Sequence, residues 1–180
     1  MRRFLLVLLC VSSFTTHAQD LPEWISPEGQ DDPHVGKVLD TANGIWLTPN
    51  LLVESLVSAP HVMVGEKHDN PDHHRLQLWL LESLQAHRPQ GSLVMEMLGP
   101  SQQAAVDRLQ GETTFDPDAL PDALEWNPGW DWALYGPLVQ WGLTNPQRLL
   151  AANLAEDEMR TVYASPQPLA DAYSAEAEGG

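Results

Sequence analysis

The stretch HVMVGEKHDNPDHHRLQLWLLESL, His61 to Leu84, places a short apolar run, a glycine, a polar loop and a long patterned segment in succession. The run Val62-Met63-Val64 is bounded by Pro60 and Gly65, which predicts a short buried strand of a parallel sheet. From Asp72 onward the period changes. Leu76, Trp79, Leu80 and Leu84 recur at helical spacing with Arg75 and Glu82 opposite, so Asp72 caps a helix that reaches about His87 before Pro89-Gln90-Gly91 ends it. On this wheel His73 falls near the apolar centre and His74 on its flank.

The same unit recurs downstream. SLVMEM (Ser92–Met97) is a second short apolar strand ending near Glu96, followed by Gly99-Pro100 and a polar helix from Ser101 to Gln110. RLLAANL (Arg148–Leu154) is a third, followed by the acidic helix start AEDEMR. Alternating short strands and helices predict an α/β domain with a largely parallel sheet flanked by helices. Upstream, GKVLDTANGIWLT reads as an N-terminal β-hairpin, because Asn43-Gly44 tolerates the positive φ of a tight turn. Thr48-Pro49 then reads as a cap and first helical residue, with Leu51, Leu52, Ser55, Leu56 and Ala59 on one face of a helix that ends before Pro60.

The opening MRRFLLVLLCVSSFTTHAQ has two arginines, an apolar run too short to span a membrane, and small residues before a cleavage point after Ala18. Residues 1–18 are therefore expected to be a signal peptide and the rest a periplasmic protein. Cys10 follows Val7, Leu8 and Leu9, too bulky for a lipobox, so no lipid anchor is expected there. Residues 19–35 read as an extended acidic, Pro-rich arm pinned by Trp24 and Ile25. Residues 36–163 read as the α/β domain and 164–180 as an unstructured acidic tail. With 9 basic against 25 acidic residues and a net charge of −16, the chain repels phosphate backbones, which argues against nucleic acid as a partner.

Chemistry concentrates in Gly65–His74, which carries three histidines and three carboxylates. In parallel sheets ligands collect at the carboxyl ends of strands. Glu66 and His68 follow the first predicted strand, Glu96 ends the second and Asn153 the third, so one sheet edge could hold all four; the alternative is that Glu66 and Glu96 cap helices. No HExxH is present. Glu66, His68 and Glu96 remain candidate ligands of a divalent metal, which would activate water in a hydrolase. Trp126, Trp130, Trp132 and Trp141, four of the chain's seven tryptophans, surround Tyr135. Together they offer either a flat surface for a porphyrin or a closed aromatic core. Phenolate suits ferric iron, and Pro137 nearby predicts that Tyr135 sits exposed at a helix lead-in or kink.

VMVGEKHDNPDHHRLQLWLLESL, SLVMEM, WDWALYGPLVQWGL and RLLAANL resemble successive blocks of the ChaN family, from about Gly36 to Arg160. The resemblance implies an exported haem-binding protein of iron uptake in the superfamily of the Tiki metalloproteases, the metal-dependent hydrolase being the alternative reading. It implies a homodimer enclosing haem, iron bound by Tyr135, and a histidine near the propionates, divided among His68, His73 and His74. A haem-uptake transporter or receptor would be the further partner. Family members continue past the block ending AANL, so the resemblance also raises the expectation of a truncated chain.

Overall fold

The structure, a computed structural model, describes residues 20–164 apart from 111, 113, 115, 117 and 146. The expected leader and nearly all of the expected tail lie outside the described residues. Strands β1 (Val38–Asp40) and β2 (Ile45–Leu47) form the antiparallel hairpin, with Leu39 opposite Trp46 and Gly44 at φ 68°. Helix α1 (Pro49–Val57) starts where the cap signal placed it, Thr48 accepting from the Leu51 amide. Its inward residue is Val53, and Leu51, expected on the apolar face, is largely exposed. Helix α1 packs against α2 and β2 and leaves Leu51 outside both contacts.

Helix α2 (Pro71–His87) is capped by Asn70, whose side chain accepts from the amides of Asp72 and His73. Asp72, expected as the cap, instead accepts from the amides of Ile25 and Ser26 at 2.8 and 2.9 Å. That bond ties the N-terminal arm to the helix by its backbone, while the Ile25 side chain stays exposed. Two opposite stripes of α2 are buried. Trp79 and Leu84 join Val53 in one cluster, and Leu78 and Leu81 pack into the main core.

Strand β3 (Ser92–Met95) and β4 (Arg148–Ala151) pair in parallel, Leu93 opposite Leu149. Between them run a 3-10 turn (Pro100–Gln102), α3 (Gln103–Leu109), α4 (Leu120–Ala123) and α5 (Trp132–Thr144); α6 (Glu156–Ala164) follows β4. The main core lies between this sheet and α5: Met95, Leu98, Val106, Leu124, Leu138, Val139, Leu143 and Leu149. Fully burying each aliphatic side chain contributes about 1.5–3 kcal/mol. Gly142 lets α5 lie flat, since a Cβ there would stand 3.0 Å from both Leu149 and Leu93.

The sheet stops at β4 for a specific reason. Gln103 accepts from the Ala151 amide and donates to the Leu149 carbonyl, while Gln110 accepts from the Leu149 amide, so side-chain amides from the α3 segment take the place of a neighbouring strand. The expected strand at Val62–Val64 does not form: this segment enters no ladder, Val62 packs on the α1–α2 cluster and Met63 is 99% exposed. Among the described residues β3 pairs with β4 alone, so its other edge takes no strand from this segment. No helix among the described residues is long and apolar enough to cross a membrane.

Candidate functional site

The loop between Val62 and α2 carries Glu66 and His68 under α5, where Tyr135, from a distant part of the chain, meets them. The Tyr135 hydroxyl donates to Glu66 Oε1 at 2.7 Å, and His68 Nδ1 lies 2.7 Å from the same oxygen. A carboxylate only accepts, so both neighbours present hydrogens to it, and the 3.3 Å between the Tyr135 oxygen and His68 Nδ1 separates two donors. The Glu66 side chain is 5% exposed and His68 is 57% exposed. His74 lies behind them, its Nε2 donating to the His68 carbonyl at 3.0 Å and facing Glu66 Oε2 at 3.8 Å. Its ring meets Tyr135 edge-on at 4.5 Å.

Electrostatics follow from this arrangement. Burial alone would raise the Glu66 carboxyl, but hydrogen bonds from His68 and Tyr135 and the nearby His74 outweigh it and hold the group below its ordinary value. The carboxylate hydrogen bond raises His68, helped by the charges of Glu66, Glu96 and Asp69. Burial, then the bond to Glu66, pushes the Tyr135 phenol well up. Glu66 Oε2 and His74 Nδ1 are buried without a hydrogen-bond partner, so the cluster keeps unspent polar capacity.

Tryptophans wall one side. Trp130 stands edge-on to His68 at 5.0 Å and to Tyr135 at 5.6 Å, and Trp126 meets Trp132 at 5.0 Å. Trp126, Trp130 and Trp132 line an open cleft of about 540 Å³ together with Asp122 and Asp131. Local structure aims them. Glu125 adopts a left-handed φ of 50° at the end of α4, which brings the Trp126 amide to the Pro121 carbonyl at 2.8 Å. The Trp126 indole then donates to the Trp130 carbonyl. Asp131 caps α5 on the Ala133 amide, and Gly136 makes room for Trp132.

Several expectations are corrected here. Tyr135 is not exposed at a lead-in or kink: it sits in the first turns of α5 at 1% exposure, because that helix continues through Pro137. His74, not His73, is the inward histidine. It shares a stripe with Leu78 and Leu81 toward α5, and the wheel centre assigned from sequence averaged this stripe with the opposite one. His73 accepts from the Lys67 amide and so braces the loop. Glu96 is exposed and reaches His68 and Tyr135 through its charge. Asn153 turns to the Leu154 amide. Among the described residues no group of three or more His, Cys, Asp or Glu is arranged to hold a metal ion. The i, i+4 pair Trp132–Gly136 was a missed signal for an indole packed flat on its own helix.

A buried phenol–carboxylate pair with an exposed imidazole on it, joined through Trp130 to an indole-walled cleft on an α/β body, is the arrangement to be compared with known proteins. Residues 52–178, more than half of the chain, match the family described as haem-binding uptake, Tiki superfamily, ChaN, and the chain belongs to that family. ChaN of Campylobacter jejuni, whose structure is described as showing cofacial haem binding, is similar with 26% identity and a TM-score of 0.64. The likeness covers 74% of this chain and 54% of that one, so the chain spans about half the length of this relative. No curated protein matches.

Proposed function

We propose that this chain binds haem at the Trp126–Trp130–Trp132 cleft, over the Tyr135–Glu66–His68 cluster, as an exported periplasmic protein of haem or iron acquisition or storage. The observation that carries the reading is the convergence of Tyr135 and His68 on one buried carboxylate beside an indole wall. The donor set fits the group: phenol and imidazole are both axial donors to haem iron, and indoles give a flat apolar surface. Bound haem supplies a ferric centre that takes such a donor. The family resemblance implies a tyrosine on the iron, and Tyr135 is the tyrosine of this site. Asp122 and Asp131 on the lining favour leaving the anionic propionates in solvent.

A homodimer enclosing the haem belongs to the same proposal, as does delivery to an uptake transporter or receptor. Exposure of Met63, Val64 and Val94 supports a second copy, since association would remove these apolar side chains from water. With a net charge of −16 the copies repel, so sedimentation should show more dimer with hemin and with salt.

Titration of the full chain with ferric hemin tests the binding. Saturable change in the Soret band is expected, weakened about tenfold by Trp130→Ala, the equivalent of ~1.4 kcal/mol. Absorbance that rises without saturation contradicts it.

A further inference from the structure

We propose that the N-terminal arm is a strap on the candidate site, held by Asp72, so that seating of the arm and binding at the site form one linked equilibrium; the inference rests on the haem-binding reading above. Three consecutive residues of α2 join the two. Asp72 accepts from the amides of Ile25 and Ser26 at 2.8 and 2.9 Å, His73 accepts from the Lys67 amide at 2.9 Å, and His74 donates to the His68 carbonyl at 3.0 Å. One helical turn therefore grips the arm with its first side chain and the loop of Glu66 and His68 with the next two. Asn70 fixes that turn, its side chain accepting from the Asp72 and His73 amides.

The grip on the arm is strong and acts on its backbone. Asp72 is 7% exposed and spends one carboxylate oxygen on each amide, and hydrogen bonds to a carboxylate are about twice as strong as neutral ones. Arg75, the residue after His74, donates to the Glu23 carbonyl. Leu21 packs on the Val53–Trp79–Leu84 cluster, and Trp24 lies over Gly36, where a Cβ would stand 3.2 Å from the indole. The arm from Leu21 to Ser26 is thus seated against α2 by contacts that it would lose together.

The loop depends on this support because it enters no ladder. Glu66 is held from α5 by Tyr135 at 2.7 Å and faced by His74 Nε2 at 3.8 Å, so the place of its carboxylate follows the place of the first turn of α2. With the arm unseated, the Asp72 carboxylate loses both donors and the turn is released. A ligand must then order the loop as it binds, whereas with the arm seated the ordering is already done. That difference in affinity between the two states is the coupling. Asp72 is a positioning residue in this scheme, acting on the site through His73 and His74.

Amide exchange and hemin titration of the full chain test the strap. In the parent, ferric hemin should slow exchange of the Ile25 and Ser26 amides about fivefold or more, the lower end of coupling between linked sites, while the amides of the β1–β2 hairpin are unchanged. Asp72→Asn keeps the size of the side chain but turns an N–H toward an arm amide. It should weaken hemin binding by the same factor, since coupling is reciprocal, and shift the His68 and His74 ring signals of the hemin-free protein. Deleting residues 20–26 should give the Asp72→Asn affinity, and the two changes together should cost no more than either alone. Gln110→Ala controls for lost stability: it removes bonds to α5 and β4 and should leave the hemin affinity of the folded fraction unchanged. Should Asp72→Asn fail to fold, the exchange rates of the parent decide. Arm amides that exchange equally fast with and without hemin, or losses from the deletion and Asp72→Asn that add, overturn the strap although haem binding stands. If the parent takes up no hemin the haem reading falls, and unshifted His68 and His74 signals in hemin-free Asp72→Asn would then overturn the strap as well.

Discussion

The Tyr135 hydroxyl and Glu66 Oε1, 69 positions apart in sequence, lie 2.7 Å apart and fasten α5 to the loop that enters α2. Tyr135→Phe removes a hydrogen-bond donor to a buried carboxylate, an interaction worth about 1.5–3 kcal/mol. Denaturant unfolding should register a loss of that size with an unchanged m-value.

The shared carboxylate also predicts a pH profile. Glu66 is held below its ordinary 4.5, so its contribution is present above that value and is lost as pH falls through the lowered one. His68 is raised above 6.5, so its contribution is complete below 6.5 and is lost as pH rises through the raised value. The pair therefore stabilises most between these two limits. NMR titration should place the His68 midpoint above 6.5, and Glu66→Gln should bring it down.

Gly136→Ala puts a methyl 2.9 Å from the Trp132 indole, closer than real Cβ contacts allow. Trp132 must move, taking Trp126 with it. A loss of about 1–3 kcal/mol is expected, with weaker hemin binding and a changed indole environment in near-ultraviolet circular dichroism.

Glu125→Gly should act in the opposite direction. The left-handed backbone at Glu125, φ 50°, costs about 1 kcal/mol for a residue with a Cβ. Glycine removes that strain at a helix end where it is the usual residue. A modest rise in Tm is expected, with the cleft intact.

Local signals were legible where their physics is local. Asn43-Gly44 announced the hairpin, Thr48-Pro49 the start of α1 and the break at Pro89-Gln90-Gly91 the end of α2, whereas β3 stops at Met95, short of the expected end near Glu96. Trp126, Trp130 and Trp132, close to Tyr135 in sequence, also pack together with it in the fold. What failed depended on packing partners. Val62-Met63-Val64 has the composition of a strand, but strand formation is decided by a neighbouring edge that composition does not encode. The choice between His73 and His74 depended on α2 being buried on two sides, which a single wheel merges. The depth of Tyr135 depended on Glu66, whose approach is set by a tertiary contact. Gln103 and Gln110 read as ordinary polar helix residues, yet they satisfy the outer edge of β4.

The most direct test of the site uses the paramagnetism of ferric hemin in a sub-stoichiometric NMR titration of the tryptophan indole and histidine signals. Trp126, Trp130, Trp132 and His68 should broaden first, while Trp24, Trp79 and the stacked pair His34–Trp46, 5.2 Å between centroids, persist. Broadening that begins at His34 and Trp46, or that spreads evenly over all the aromatic signals, would contradict a haem site at this cleft.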